Sequence, residues 1–361
     1  MPRRSATMLA ATLLLIALLC ASVMMKVPYT EMSPGPTYNT LGVQEKTGTP
    51  VITVTGHESY PVSGHLNMTT VQVTGAKYEP SLVNAVVGWL RDDVLVVPHD
   101  NVYPKGQTDA DAKRQNAEEF ALSEDHARTA ALTQLGIPVG NELIVQSVTA
   151  GAPAEGKLHA GDRIIAVDGT PVTDADSVAK AVTKHQPGET AVFTVVPMVK
   201  DASKADPAAA RTDIAVPTVK SPDTGAAMVG IRPGVRHTYP FQIDIGLQDV
   251  GGPSAGLMFS LGIIDKLTPE DLTGGRFVAG TGTIDDAGAV GPIGGISMKL
   301  IAARDAGAQY FFTPAANCAE AGKNTPSGLT LIRTETLDGA LKSLEQVRSG
   351  QTAALPSCAT G

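Results

Sequence analysis

Val250-Gly251-Gly252-Pro253-Ser254-Ala255-Gly256 breaks a regular pattern in the last third of the chain. Before it, Phe241-Gln242-Ile243-Asp244-Ile245-Gly246 alternates as a strand; after it, Leu257 to Leu267 runs on as an apolar helix. A serine between Gly-Pro and Ala-Gly at a strand-to-helix turn presents its oxygen past small neighbours. The first N–H groups of such a helix lack intrahelical partners and can face a developing oxyanion. Gly-Ser turns are also common as plain structure, so an oxygen nucleophile here needs a base to go with it.

Gly252-x-Ser254-x-Gly256 fits the nucleophile-elbow spacing of α/β-hydrolases, which places an acid and then a histidine after the serine. The seven histidines are 57, 65, 99, 126, 159, 185 and 237, and none follows Ser254. That triad fails. A lysine can serve instead when burial lowers its pKa and frees a lone pair. Four lysines follow Ser254: Lys266, Lys299, Lys323 and Lys342. Lys299 stands out, behind the glycine turn Gly291-Pro292-Ile293-Gly294-Gly295 and among the apolar residues of Ile296 to Ala303. Lys323 and Lys342 lie in polar stretches and read as solvated.

Three blocks occur in order: Gly252-Pro253-Ser254-Ala255-Gly256, then Thr281-Gly282-Thr283-Ile284 with Gly288-Ala289-Val290, then Pro292-Ile293-Gly294-Gly295 with Lys299. Together they resemble the Ser/Lys-dyad peptidase domain of Lon proteases, over Ile231 to Ile332. The resemblance implies that Ser254 is the nucleophile, Lys299 its general base and Thr281 the residue that helps hold the lysine. Gly252, Pro253 and Gly256 would shape the turn. The chain departs from ATP-dependent Lon in having Gly251 where an aspartate stands, and in showing no ATPase module.

A second block lies upstream. Leu143 to Val148 reads as a strand, followed by Gly151-Ala152-Pro153-Ala154 and Leu158-His159-Ala160-Gly161-Asp162-Arg163-Ile164-Ile165-Ala166-Val167-Asp168-Gly169. A helix over Asp174 to Lys184 and a strand over Thr190 to Met198 follow, then a loop over Lys200 to Arg211. This order resembles a PDZ domain of the bacterial protease type, in which Asp168-Gly169 makes a hairpin turn. The resemblance implies binding of an extended polypeptide at a sheet edge, with a pure spacer as the alternative. Gly151-x4-Gly156-Lys157 mimics a Walker A motif, but Leu158 replaces the magnesium-binding hydroxyl, so ATP is not expected. Ser177-x-x-Lys180 has the spacing of penicillin-binding enzymes without their companion motifs, and reads as a solvated helix face.

The N-terminus sets the compartment. Met8 to Met25 carries no charge, and 18 residues at 1.5 Å each just cross a bilayer core. Arg3 and Arg4 would hold the short end in the cytoplasm and leave the catalytic region outside. A cleaved signal peptide is the alternative, although no A-x-A site precedes the polar segment. Cys20 reads as lipid-facing. Cys318 and Cys358 would then sit in an oxidising space, and pair as a disulfide or remain inert thiols. Thr30 to Asn39 reads as a Pro/Gly-rich spacer. Val51 to Thr55 and His65 to Val73 read as two strands around a turn at Gly64, Ser81 to Leu90 as a helix with Leu82, Val83, Val86 and Leu90 on one face, and Asp109 to Leu135 as a longer helix.

The chain of 361 residues has 43% hydrophobic residues and a formal net charge of −8, which excludes fibrous and disordered classes and speaks against nucleic acid. Three cysteines cannot make a four-thiolate zinc site, and no metal or other cofactor is expected. The fold class expected is α+β: an N-terminal transmembrane helix, a PDZ domain and a Lon-type α/β proteolytic domain. The expected boundaries are 1–29 for the anchor (span 8–25), 30–121 for a linker and β/α segment that can complete the peptidase domain, 122–220 for the PDZ domain and 221–361 for the proteolytic domain. Anchor, PDZ and Lon-like region in this order resemble the membrane-anchored PDZ-containing Lon-like proteases of Gram-positive bacteria. That resemblance implies an ATP-independent serine endopeptidase acting on exported or misfolded polypeptides. Homo-oligomerisation stays open, and a PDZ scaffold with an inactive Lon-like domain is the alternative.

Overall fold

The structure, a computed structural model, describes residues 3–44, 47–198, 211–247 and 250–358. Most of the expected loop at 200–211 lies outside them. The chain divides into two compact units, one of residues 1–137 and 241–361, the other of residues 138–240.

The N-terminal part of the first unit begins with helix α1 (Arg3–Met24), whose window Thr7–Met24 has a mean hydropathy of 2.4 and no buried residue. By length and composition it can cross a membrane. Strands β1 (Tyr29–Asn39), β2 (Ile52–Thr55) and β3 (His65–Val73), helix α2 (Leu82–Trp89), strand β4 (Leu95–Pro98) and helix α3 (Asp109–Gln134) follow. Thr30 to Asn39, expected as a spacer, is strand β1, paired with both β3 and β4. Its prolines fit because the β1–β3 register shifts between Pro34 and Thr37, a bulge where a missing N–H costs no ladder bond. The strands β2 and β3 form as expected but make no hairpin with each other; β2 pairs with strand β13 (Gln242–Ile245) from the far side of the second unit.

In the second unit, β5 (Gly140–Val148), β6 (Arg163–Val167), β7 (Thr170–Pro171), helix α4 (Ala175–Val182), β8 (Thr190–Val196), β9 (Thr212–Pro217), β10 (Val219–Lys220), β11 (Ala227–Met228) and β12 (Ile231–Thr238) build a sheet of order β12-β5-β6-β8-β9, with β7 on β6. Asp168 and Gly169, both with positive φ, turn β6 into β7. Asp174 caps α4 with a capping box to Ser177, so Ser177 is a cap residue and the S-x-x-K spacing carries no chemistry. Val145, Phe193, Val195 and Val216 are fully buried at the centre of the unit's core.

Both sequence-based limits of this region move downstream. Residues 122–137 stay with the first unit because α3 packs there, and Ile231–Thr238 stays with the second because β12 pairs along β5 over its whole length.

The first unit then resumes with β13, α5 (Gly256–Leu267), β14 (Phe277–Gly280), β15 (Thr283–Ile284), β16 (Val290–Gly291), α6 (Ile296–Asp305), β17 (Tyr310–Pro314), α7 (Cys318–Ala321), β18 (Thr330–Thr334) and α8 (Leu337–Ser349). Its main sheet runs β18-β17-β14-β3-β1-β4, parallel from β18 to β3 and antiparallel beyond. N- and C-terminal segments therefore share one sheet, joined at the β3–β14 seam. Cys318 and Cys358 form a disulfide with Cα atoms 5.0 Å apart, tying the chain end beside β18, where Ser357 bridges to Ile332.

Candidate active site

Ser254 lies in the turn that leads into α5. Gly252 has φ +82°, a left-handed conformation that L side chains resist. Helix α3 holds this turn from one side: the Gly252 N–H donates to Asn116 O at 2.8 Å, and Ser123 Oγ donates to Pro253 O at 3.0 Å. The 281–282 segment holds it from the other, where the Ser254 carbonyl accepts from Gly282 N at 2.9 Å and from Thr281 Oγ1 at 3.0 Å. Gly256 has no room for a larger residue, since a Cβ there would meet Ile284 Cγ2 at 2.8 Å.

Lys299 is the fourth residue of α6, a helix entered through Gly295 in the left-handed conformation. Its side chain is only 2% exposed. The ammonium form loses its hydration there, and burial pushes the pKa down from 10.5 to about 7. Nζ lies 2.8 Å from Ser254 Oγ, 3.0 Å from Thr281 Oγ1 and 3.1 Å from the Thr69 carbonyl.

Proton counting decides what this arrangement can do. Thr281 spends its hydroxyl hydrogen on the Ser254 carbonyl, so toward Lys299 it can only accept. A neutral amine has two N–H groups and one lone pair. Thr69 O and Thr281 Oγ1 take the two N–H groups, leaving the lone pair for the Ser254 hydroxyl. Adding one proton converts that last contact to donation without moving an atom.

The site opens into a cleft of ≈ 720 Å³. Met32, Met68, Val71 and Ile293 give it apolar walls, while Asn116 and Glu119 of α3 line one side. Thr70 to Val73 of β3 border it beyond the reach of β14, which pairs only with His65–Met68. Asn317 braces the wall at Ile293 by accepting its N–H at 3.0 Å and donating to its carbonyl at 2.9 Å.

The structure thus brings together Ser254, Lys299, Thr281, Gly252, Pro253 and Gly256. Lys266 sits ten residues further along α5, about 15 Å from its start, and Lys342 is paired with Asp338 at 2.6 Å on the surface. Sequence reasoning missed the Thr69 carbonyl, the bracing by Asn116 and Ser123, and Asn317. A backbone acceptor has no side-chain signature, and no local pattern announces a contact across such separations. In the second unit, an apolar groove of ≈ 360 Å³ runs between α4, with Val178 and Val182, and Ile231 of the edge strand β12.

The fold and site define a two-part chain: a unit that sets a buried lysine against a turn serine, and a unit with an apolar groove beside a sheet edge. Two family models match parts of the chain. Residues 119–203 match the PDZ domain family model, and residues 242–345 match that of the Lon protease (S16) C-terminal proteolytic domain. The chain therefore carries a PDZ domain and a Lon-type proteolytic domain. It is 34% identical over 122 residues to the Lon protease of Azospirillum brasilense, covering 32% of this chain and 15% of that protein. It is 32% identical over 130 residues to the Lon protease of Phenylobacterium zucineum, covering 35% and 16%. These curated relatives are thus matched over less than a fifth of their own length. Among solved structures, the PDZ domain of the SdrC-like protein from Listeria innocua aligns at 20% identity and a TM-score of 0.22, covering 27% of this chain and 98% of that one.

Proposed function

We propose that this chain is a membrane-tethered serine endopeptidase that works without ATP, with Ser254 as nucleophile and Lys299 as general base. The observation that carries the proposal is the contact of 2.8 Å between Lys299 Nζ and Ser254 Oγ, made by a lysine whose burial lowers its pKa to about 7. Neutral Lys299 takes the Ser254 proton as Oγ attacks the peptide carbonyl carbon. The oxyanion that forms lies at the N-terminus of α5, where backbone N–H groups can receive it. The Lys299 ammonium then protonates the departing amine, and water, deprotonated by the same lysine, releases the acyl group. Only water is consumed.

The substrate reading follows from the cleft and the groove. Apolar walls favour apolar side chains next to the cut bond, and the run Thr70–Val73, paired with β1 on one edge and not with β14 on the other, suits an extended, unfolded segment pairing as a strand. The PDZ groove would hold another stretch of the same polypeptide. Helix α1 would tether the enzyme, with both units on the far side from Arg3 and Arg4. Incubation with a serine-reactive boronate or phosphonate and a fluorogenic peptide tests the chemistry without nucleotide. Wild type should label and cleave, Ser254→Ala should do neither, and cleavage surviving in Lys299→Ala would sink the pair.

A further inference from the structure

Helix α2 is packed inside out. Its inward positions are small: Ala85 and Gly88 are buried, and a Cβ on Gly88 would meet Val96 Cγ2 of β4 at 2.6 Å. Val86, Val87 and Trp89, with the C-cap Leu90, point away from the fold at 41%, 49%, 52% and 82% exposed, while Leu82 and Val83 are half-buried. Of the stripe that sequence reading places on one helix face, Val86 and Leu90 face outward and Leu82 and Val83 flank them half-buried. No charged residue interrupts Leu82–Trp89. A helix that docks by its small residues and presents its large ones suits an apolar medium on its outer side.

The position of α2 names that medium. The Leu82 N–H donates to Met25 O at 2.8 Å, Val27 N donates to Pro80 O at 3.0 Å, and Lys26 bridges to Ser81. Helix α2 thus starts where the apolar span of α1 ends. Trp89 stacks edge-on against Tyr29, with ring centres 5.3 Å apart. A Trp/Tyr pair beside the end of an apolar span matches the aromatic belt of a membrane–water interface. We propose that α2 is an interfacial helix, with Val86, Val87, Trp89 and Leu90 seated in the headgroup layer of the bilayer that α1 crosses. It would fix the proteolytic unit against the membrane rather than leave it on a free stalk. The proposal rests on the membrane-anchor reading of α1.

Trp89 is the sole tryptophan in the chain, so intrinsic fluorescence reports on this helix alone. The full chain is reconstituted into phosphatidylcholine vesicles that contain lipid brominated near the ester end of the acyl chain. Flotation on a density gradient reads the anchor separately. The expected result is a floating protein whose Trp89 emission is blue-shifted, strongly quenched by the brominated lipid and shielded from aqueous iodide. Val87→Asp with Leu90→Asp should abolish lipid quenching and restore iodide quenching while the protein still floats. Floating wild type with Trp89 open to iodide overturns the helix proposal and leaves the anchor standing. Shielding from iodide without lipid quenching means a protein partner covers α2, and overturns it too. Protein that does not float removes the anchor and the proposal with it.

Discussion

At the scale of single residues, the proposed chemistry depends on keeping one buried lysine short of a proton. If Lys299 is the base, kcat/KM for a short peptide should rise with pH through about 7 and level off above it, because only the neutral amine can accept. Lys299→Arg, which cannot deprotonate at such pH, should be inactive throughout. The same shift has a stability consequence. Between about 7 and 10.5 the unfolded chain holds a proton on this lysine that the folded chain does not, so its contribution makes stability rise with pH across that window. At pH 7 the penalty is about 4 kcal/mol at one pKa unit per ~1.4 kcal/mol. Lys299→Met removes it but leaves the Thr69 carbonyl without its partner, which costs about 1–3 kcal/mol. The variant should therefore be inactive yet more stable at pH 7 by about 1–3 kcal/mol, measurable by urea titration. Thr281→Val removes an acceptor from Lys299 and a donor from the Ser254 carbonyl. It should lower kcat by about 10–100-fold with little change in KM and shift the pH midpoint, and Thr281→Ser should restore most of the rate. Ser254 and Lys299 are marked locally in the sequence by small and apolar neighbours, whereas Thr281 is singled out only by the resemblance to Lon proteases. The Thr69 carbonyl is not, since its role exists only once β3 lies beside α6.

At the scale of elements, sequence legibility depended on whether an element's partner was near it in the chain. Helix α4, capped by Asp174 and packed within its own unit, reads correctly at its start and ends two residues before the expected Lys184. Helix α3 reads correctly as a helix, yet its allegiance does not. It packs on α5, with Phe120 and Phe259 ring centres 5.7 Å apart and Ser260 Oγ donating to Ala127 O at 3.3 Å, and on β13, where Arg128 Nε donates to Ile243 O at 2.8 Å. An Ala-rich helix shows its apolar side but not what covers it, and α5 lies more than a hundred residues on. Strand β1 hid for a related reason: Pro34, Gly35 and Pro36 look like a linker until the bulge accommodates them. The disulfide is likewise an element-scale device. It sits at Cys318, next to Asn317, whose side chain clamps the cleft wall at Ile293. In the chain-entropy picture a loop of 40 residues contributes about 4 kcal/mol. Cys358→Ser should therefore lower stability by about 2–4 kcal/mol and raise KM more than it lowers kcat, because the loosened wall borders the cleft and not the Lys299 amine. Equal denaturation midpoints with and without reductant would remove the bond from the account.

At the scale of the whole molecule, the second unit interrupts the first, and the place of the cut decides what its removal means. Deleting residues 122–220 takes away Ser123, Ala127 and Arg128, which hold the Ser254 turn, α5 and β13, and strands β12 without its partner β5. Such a protein should not fold, and its inactivity would say nothing about peptide delivery. A cut inside the second unit avoids this. Gly140 and Thr238 are directly paired across β5 and β12, so their Cα atoms lie only about 5 Å apart. Replacing 141–237 with a Gly-Ser dipeptide closes the chain and leaves every side chain of the candidate active site in place. Short peptides, which reach Ser254 by diffusion alone, should then be cut at the wild-type rate within about twofold. Unfolded proteins should be cut more slowly, because a segment held in the PDZ groove raises the local concentration of its neighbour without lowering the chemical barrier. Circular dichroism and labelling of Ser254 by a phosphonate establish that the shortened protein is folded. With that secured, loss of short-peptide turnover would make the second unit part of the catalytic machinery. Unchanged turnover of both substrates would reduce it to a spacer. A loss confined to protein substrates is the expected outcome, and Ala179→Asp in the intact chain, at an exposed position of α4 that lines the groove, should reproduce it by placing a charge there without entering the core.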